Sequence, residues 1–241
     1  MNQRSLQYTT GIKDGIPIGL GYFAVSFTFG IMAANTGLTP WQAIVMSLTN
    51  LTSAGQFAGL GIIKAGASLG ELALAQFVIN LRYSLMSCSL SQKFKEDTPF
   101  IHRLLIGYGV TDEVFGVSVC KSGKIDPLYC YGLLSAAVPG WTLGTAFGAV
   151  SGSLLPDRII SALSVGLYGM FVAIIVPPAR DNRTLAWVVA ASMILSFLFS
   201  WLPWLRMISS GMRLIFLTVV IAGAAAFLFP FPTNEEDCYE R

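Results

Sequence analysis

The stretch LGELALAQFVINLRYSLMSCSL, residues 69–90, decides the fold of this 241-residue chain. It has the length and apolar character of a membrane-crossing helix, which takes ~20 such residues, yet it carries Arg82 near its middle. A second apolar run, HRLLIGYGVTDEVFGVSVC at residues 102–120, carries Asp112 and Glu113. A charge at mid-bilayer costs about 3 kcal/mol or several times more, so such residues persist where they face a polar cavity or an opposite charge. The two runs therefore predict the working centre of a polytopic membrane protein.

The composition assigns the protein class. Hydrophobic residues make up 54% of the chain and charged residues 12%, about half the ~25% charged share of soluble domains. Mean hydropathy is +0.65, and the net charge of +2 gives no basis for nucleic-acid binding. The sequence contains no GxSxG, HExxH or Walker-type phosphate loop, and its four cysteines lack metal-ligand spacing. We therefore expect an integral membrane protein that is not an enzyme and holds no cofactor or metal.

The hydropathy pattern predicts an all-α polytopic membrane fold that forms a single transmembrane transporter domain over residues 1–241. Short polar connectors separate about eight hydrophobic segments. The segments are 16–35, 41–63, 69–90, 102–120, 129–151, 159–178, 185–204 and 211–230. An acidic tail, residues 233–241, follows them.

Segment two has an unusually polar middle, with Thr49, Asn50, Thr52, Ser53 and Gln56 close together. Non-helical backbone at membrane depth is tolerated only where protein or water covers it. The segment is therefore either a broken or half-spanning helix that lines a cavity, or an ordinary helix whose polar side chains hydrogen-bond to neighbouring helices. The sequence favours neither interpretation.

The chain shows a faint internal repeat, which indicates two related halves of approximately 15–124 and 125–232. In both halves an FG pair leads through a turn of small residues to a proline that starts the next helix. Eight crossings would make the halves parallel repeats, whereas re-entrant segments two and six would make them inverted repeats. With the N-terminus inside, Lys and Arg split eight against six for eight crossings and nine against five for the inverted arrangement. Because cations concentrate inside, the count favours inverted repeats with two half-spanning or broken helices.

Glycines recur at every fourth position of segment five, at Gly140, Gly144, Gly148 and Gly152. This spacing places them on one helix face and allows another backbone to approach closely. We interpret the face as a packing seam, with a substrate groove as the less favoured alternative.

Candidate cavity residues lie in segments two and three. Gln76 and Asn80 recur at helical spacing in a polar stripe, and with Asn50 and Gln56 they are our candidates for hydrogen-bonding a substrate. Arg82 lies about 200° around the helix from Asn80 and therefore points elsewhere.

The candidate charge centre consists of Arg82, Asp112 and Glu113. Arg82 would either bind a substrate carboxylate through two hydrogen bonds or form a structural ion pair with one of the two acids, and the pair is slightly favoured. The adjacent acids diverge by roughly 100°, so one could pair with Arg82 while the other faces a cavity. A desolvated acid there could carry a proton and couple transport to the proton gradient. The alternative is that both acids lie near the membrane surface.

The chain resembles the AzlC-type branched-chain amino acid permeases, an exporter family. The matching stretches are GLGY at 19–22, FG at 29–30, GLTPW at 37–41, AGQF at 54–57, NLR at 80–82 and TDE at 111–113. Each is weak alone, but their order and spacing together are fairly specific.

The resemblance implies a multi-pass transporter of the bacterial inner membrane that exports leucine, isoleucine or valine. It also implies a small, separately encoded membrane partner of the AzlD type. The polar stretch 49–53 is more polar than is usual in the family, which suits another amino acid or small zwitterion as well. Two other functions remain open: a passive channel for a small solute, and a scaffold subunit that is inactive without its partner.

Overall fold

The computed structural model describes residues 3–152, 182–201 and 209–229, together with residues 172, 175, 176, 179 and 180. These residues form nine helices and no strand. The helices are α1 (Gln3–Asn35), α2 (Pro40–Thr49), α3 (Ser53–Lys64), α4 (Leu69–Gln92), α5 (Phe100–Tyr108), α6 (Asp112–Val119), α7 (Pro127–Ser151), α8 (Arg183–Trp201) and α9 (Ser210–Leu228). The predicted all-helical polytopic membrane fold is confirmed.

Three described helices are long and apolar enough to cross a membrane: α1, α7 and α9. The 24-residue α4 has the length of a spanning helix, ~36 Å at 1.5 Å per residue, but its polar side chains lower its hydropathy. The chain divides into two compact units, 1–169 and 170–241. In the second unit α8 packs against α9, with the rings of Phe199 and Phe216 5.9 Å apart. Segment six and the acidic tail lie outside the described residues.

The boundaries of two predicted segments are wrong. Segment one begins thirteen residues earlier than predicted, because α1 continues back through the polar start of the chain to Gln3. Segment four is not one continuous helix, because the chain leaves helical geometry between α5 and α6, at residues 109–111. Gly109 ends α5, and the hydroxyl of Thr111 caps α6 by accepting a hydrogen bond from the Val114 N–H (3.3 Å). The glycine and the capping threonine together supply the stop and start signals.

The glycines of α7 pack directly against α1, as the packing-seam interpretation predicts. A β-carbon on Gly140 would lie 2.3 Å from the carbonyl oxygen of Gly19, and one on Gly148 would lie 2.0 Å from that of Phe27. Such close backbone approach is possible only because these positions have no side chain. Gly132 meets Gly11 in the same way, so residue numbers rise together along both helices and α1 and α7 run parallel.

Segment two is broken, and we call residues 40–64 hairpin 1. A capping box at Thr39 and a proline at the first helical position fix the start of α2. The helix stops at Asn50, which has extended backbone (φ −140°, ψ 91°). Thr52, also extended, precedes α3.

Helix α3 runs back along α2 instead of continuing across. The Gln56 amide of α3 donates to the Ser47 hydroxyl of α2 (3.0 Å), and one turn further on Leu60 lies in the same buried cluster as Ala43. Hairpin 1 therefore enters and leaves at the end of the bundle where α1 ends. The broken-helix interpretation of segment two is the one observed.

Segment four forms a second hairpin, residues 100–119, which we call hairpin 2. It enters from the opposite end. The chain just before hairpin 2 and the chain just after it are joined beside the end of α4, where the Ile125 N–H donates to the Lys93 carbonyl (2.9 Å). Ascending α5 lies against α4, because the Ser87 hydroxyl donates to the Gly107 carbonyl (3.4 Å). Hairpins 1 and 2 thus enter the unit from opposite ends, and both turn back inside it.

The second re-entrant segment changes the expected relation between α1 and α7. Inverted halves would make these two helices antiparallel, because only one re-entrant segment would separate them. With two hairpins between them, only α4 crosses, so the chain enters α7 from the end at which it entered α1. Because α1 and α7 open the two predicted halves and run parallel, the inverted relation predicted for those halves does not fit them. Whether segment six is re-entrant stays a prediction, since only residues 172, 175 and 176 of that segment are described.

The end of the bundle where α1 begins carries most of the described cations of the first unit. At this end Lys121 pairs with Asp14 (2.9 Å), and Lys124 donates to the Gln92 carbonyl (2.9 Å). The cations here are Lys13, Lys93, Lys95, Arg103, Lys121 and Lys124. Lys64 lies at the opposite end, where α3 ends. By the positive-inside rule, this asymmetry predicts that the beginning of α1 lies on the cytoplasmic side.

Candidate functional site

The breaks of both hairpins lie against α4. Gln76 and Asn80 meet the break of hairpin 1, and Arg82, about 200° around the helix from Asn80, meets the start of α6 in hairpin 2. The stripe predicted from the spacing of polar residues is therefore the surface that the break of hairpin 1 contacts. Three of the predicted cavity residues, Asn50, Gln76 and Asn80, lie together there.

The break of hairpin 1 is held by side-chain amides. Gln76 accepts a hydrogen bond from the Asn50 amide (3.2 Å) and donates one to the Gly55 carbonyl (2.7 Å). The Thr52 hydroxyl donates to the Asn50 side-chain oxygen (2.5 Å). Thr52 makes no side-chain cap on α3. The first N–H groups of α3 therefore lack a side-chain acceptor from their own N-cap residue.

One turn along α3 from this polar cluster, the surroundings become partly apolar. The space beside Gly59 is bordered by the terminal methyl of Met46, the side chain of Leu72 and the Gln76 amide, at 3.2–3.6 Å from the position of a β-carbon. A polar region and an apolar region thus adjoin on the same face of α3.

Gln56 is fully buried and lies in a different network from the other three candidates. Its amide donates to Ser47 (3.0 Å), and its oxygen accepts from the Trp141 indole (2.8 Å). Ser47 in turn bonds to Thr145 of α7 (2.7 Å). These contacts join hairpin 1 to α7, so the geometry gives Gln56 a structural task. Its role in binding substrate stays a prediction.

The charge centre is assembled where hairpin 2 turns. Arg82 Nη2 lies 3.0 Å from Asp112 Oδ2, and the arginine also donates to the Tyr83 hydroxyl (3.2 Å). The ion pair holds the beginning of α6 against α4. Of the two roles open to Arg82, the structure shows the pair. Its side chain is 50% exposed and that of Asp112 35% exposed, so the pair lies in a partly open setting.

Glu113 points away from that pair and toward α1. Its carboxylate accepts a hydrogen bond from the Tyr22 hydroxyl, which also contacts Thr111. The two adjacent acids therefore diverge, as their spacing predicts, with Asp112 directed toward α4 and Glu113 toward α1. The centre holds two acids and one cation, and the cation pairs with Asp112.

Tyr22 and Trp141 were not among the predicted site residues, although they link the two hairpins. Their rings meet edge to face with centroids 5.4 Å apart. Tyr22 contacts Glu113 of hairpin 2, and Trp141 donates to Gln56 of hairpin 1. The signal available in the sequence was that each is an aromatic residue with a polar atom in an apolar segment, and such residues find a hydrogen-bond partner when buried.

A family model described as AzlC protein matches residues 17–155, more than half of the chain. This range contains α1 from residue 17 onward, both hairpins, α4 and α7, and hence every residue of the candidate site. The chain belongs to the AzlC family. The resemblance carried by the short motifs is thereby confirmed.

Relatives of this AzlC-family chain are membrane proteins. An uncharacterized membrane protein of Archaeoglobus fulgidus is 31% identical over 196 residues, which cover 80% of this chain and 86% of the relative. The inner membrane protein YgaZ of Escherichia coli is 27% identical over 188 residues, covering 75% and 77%. No solved structure matches the chain. Together with the apolar helices, these relatives show a multi-pass membrane protein.

Proposed function

We propose that this AzlC-family protein is a secondary transporter, and not an enzyme, that exports leucine, isoleucine, valine or similar small amino acids. The observation that carries the proposal is the pair of hairpins that enter from opposite ends and place their breaks against α4, at the Gln76–Asn80 face for hairpin 1 and at Arg82 for hairpin 2. Unwound backbone at membrane depth occurs where it is buried in protein or lines a cavity, and secondary transporters bind substrate at such breaks.

The surroundings of hairpin 1 suit a small amphipathic amino acid. The beginning of α3 presents N–H groups that Thr52 does not cap, and a helix N-terminus is a favourable partner for a carboxylate. The aliphatic side chain would then lie one turn further along α3, beside Gly59, Met46 and Leu72. Under this proposal Arg82 orients hairpin 2 through Asp112 instead of binding the substrate carboxylate.

The partner and the location follow from the family resemblance. We propose that a small AzlD-type membrane protein assembles with this chain, and that the complex lies in a bacterial inner membrane, as the name of the Escherichia coli relative states for that protein.

Counterflow of radiolabelled leucine and valine into proteoliposomes tests the proposal, with the chain reconstituted alone and with its small partner. Exchange that requires this chain and falls strongly in Arg82→Ala supports a transporter in which the charge centre orients hairpin 2. Ser87→Ala is the matched control, because Ser87 lies on the same helix and donates its hydrogen bond to the Gly107 carbonyl of hairpin 2, away from the charge centre. Full exchange in Arg82→Ala would remove the charge centre from the mechanism.

Two further measurements separate the alternatives. A passive channel equilibrates its solute, so accumulation of leucine against its gradient excludes a channel. A scaffold subunit would not determine selectivity, so a changed leucine-to-valine preference in Gly59→Ala would place the binding site on this chain. No exchange of any amino acid by the folded complex would refute the proposed function.

A further inference from the structure

The break of hairpin 1 gathers oxygen atoms from three side chains around a glycine. The position of a β-carbon on Gly55 lies 2.5 Å from Thr52 Oγ1, 2.8 Å from Gln76 Oε1 and 3.5 Å from Asn80 Oδ1. A side chain at position 55 would occupy the space that these oxygens border. Glycine keeps that space open at the point where α3 begins.

The oxygen of Asn80 lacks a donor. Asn80 Oδ1 is buried, and none of the described residues donates a hydrogen bond to it. A buried acceptor without a partner is unfavourable, and such an atom in a native structure calls for a ligand, an ion or a water. Asn80 lies one turn from Gln76 on α4 and faces the same glycine.

The orientations of the neighbouring amides are fixed by their own hydrogen bonds. Gln76 donates through its amide nitrogen to the Gly55 carbonyl, so its oxygen is the atom left on the side of Asn50 and Gly55. That oxygen already accepts from the Asn50 amide (3.2 Å) and retains a second lone pair. The Thr52 hydroxyl donates to Asn50, which leaves the lone pairs of Oγ1 for another partner. The cluster thus offers acceptors to its interior.

We propose that Thr52, Gln76 and Asn80 bind a monovalent alkali cation, for which sodium is the leading candidate. Hard cations take oxygen ligands, and a divalent ion is normally held by carboxylates, which the three ligands lack. The carboxyl-terminal end of α2 lies at the break, and a helix end of this kind carries a partial negative charge. Secondary transporters use unwound carbonyls and half-helix ends in this way to hold a coupling ion.

The cation would be the coupling ion of the proposed transporter, and this role rests on the proposed function. The ion would lie beside the uncapped beginning of α3, where the substrate carboxylate is proposed to bind. Each charge would then offset the other in the interior, so that the cation favours binding of the amino acid and the amino acid favours binding of the cation.

Thermal unfolding of the purified full-length protein in detergent, without any amino acid, tests the site itself. The unfolding midpoint is followed while NaCl replaces choline chloride at constant ionic strength, with KCl as a second arm. Because a ligand that binds only the folded state stabilises it, the midpoint is expected to rise with saturation in at least one arm. A saturable rise in NaCl alone assigns sodium, and one in KCl alone assigns potassium. No rise in either arm overturns the proposal.

Variants of Asn80 assign the rise to this site. We expect Asn80→Leu to raise the half-saturating salt concentration at least tenfold, and Asn80→Asp, which keeps an oxygen and adds a charge, to lower it. Ser87→Ala, two turns along α4, should respond as the wild type does. If Asn80→Leu does not fold, Asn80→Asp still decides, since an unchanged half-saturating concentration there contradicts the proposal.

The assay separates failure of the ion site from failure of the proposed function. A saturable cation response in a protein that exchanges no amino acid would refute the transporter and keep the site. Amino acid exchange by a protein whose stability and exchange ignore both cations would refute the site and keep the transporter.

Discussion

Alanine substitutions along the seam between α1 and α7 should destabilise the protein in an order set by geometry. A β-carbon at Gly19 would lie 2.6 Å from the Ala136 carbonyl oxygen, at Gly140 2.3 Å from the Gly19 carbonyl oxygen, and at Gly148 2.0 Å from the Phe27 carbonyl oxygen. All three obstacles are backbone atoms, which cannot move aside by changing a rotamer. Gly21, on the same helix as Gly19, has no atom within 4 Å of its β-carbon position among the described residues, and it serves as the matched control.

The size of the effect follows from how far the helices must separate. Real β-carbons essentially never come within 3.0 Å of such atoms, so the backbones must part by roughly 0.4 Å for Gly19→Ala and roughly 1 Å for Gly148→Ala. Overpacking of this kind costs about 1–3 kcal/mol. The higher helix propensity of alanine offsets at most about 1 kcal/mol of this loss of stability. At Gly21, where no clash opposes it, the same propensity should leave the protein as stable as the wild type or slightly more stable.

The assay is the fraction of monodisperse protein remaining after heating in detergent. A loss of 1 kcal/mol lowers the midpoint by about 2–4 °C for a domain of this size. We therefore expect a loss of a few degrees for Gly19→Ala, a larger loss for Gly140→Ala, and the largest, about 5 °C or more, for Gly148→Ala. Equal behaviour of Gly19→Ala and Gly21→Ala, or a reversed order in the series, would refute the packing-seam argument.

Three further predictions concern the hairpins. Gln56→Leu should destabilise the protein by about 1–3 kcal/mol in the same heating assay, because it leaves the buried Trp141 indole N–H without its acceptor and removes one of the hydrogen bonds of the buried Ser47 hydroxyl. Arg82→Met should destabilise more than the double variant Arg82→Met/Asp112→Leu, because the single change leaves a carboxylate unpaired; urea titration of the detergent-solubilised variants measures the difference. In a cysteine-free background, Lys64→Cys and Lys124→Cys should react with an impermeant thiol reagent from opposite sides of the membrane, Lys124→Cys from the cytoplasmic side.

Each of these predictions has an outcome that contradicts it. Wild-type stability of Gln56→Leu would mean that the network between hairpin 1 and α7 is not formed. A double variant that is less stable than the Arg82→Met single variant would mean that Arg82 and Asp112 do not form an ion pair. Labelling of both introduced cysteines from the same side would mean that the hairpins do not enter from opposite ends.

The sequence predicted the class of the fold and the position of most helices because hydropathy is a local property. Segments two and four differ in what could be foreseen. In segment two, five polar residues within eight positions signalled a break, and the break is observed. In segment four, the stop signal was only Gly109 followed two residues later by the capping Thr111. In a long apolar run, the length of the run indicates one continuous helix more strongly than these two residues indicate a break.

The candidate site was predictable in part for a related reason. Helical spacing placed Gln76 and Asn80 on one face of α4, and the face is observed. The turn of roughly 100° per residue also predicted that Asp112 and Glu113 point in different directions, as they do. The aromatic link through Tyr22 and Trp141 was not predictable, because it joins residues 119 positions apart whose contact depends on the parallel docking of α1 and α7. The glycine periodicity indicated a packing face on α7 without identifying the helix that packs against it.

The same docking accounts for how the two hairpins could influence each other. They approach along α4, but the hydrogen bonds that reach from one hairpin toward the other pass through α1 and α7: Glu113 to Tyr22, the edge contact to Trp141, and the indole to Gln56. The glycine seam holds these two helices in backbone contact. The contacts therefore form a continuous path from the turn of hairpin 2 to Gln56, which lies near the break of hairpin 1 and one residue from Gly55 and its oxygen cluster.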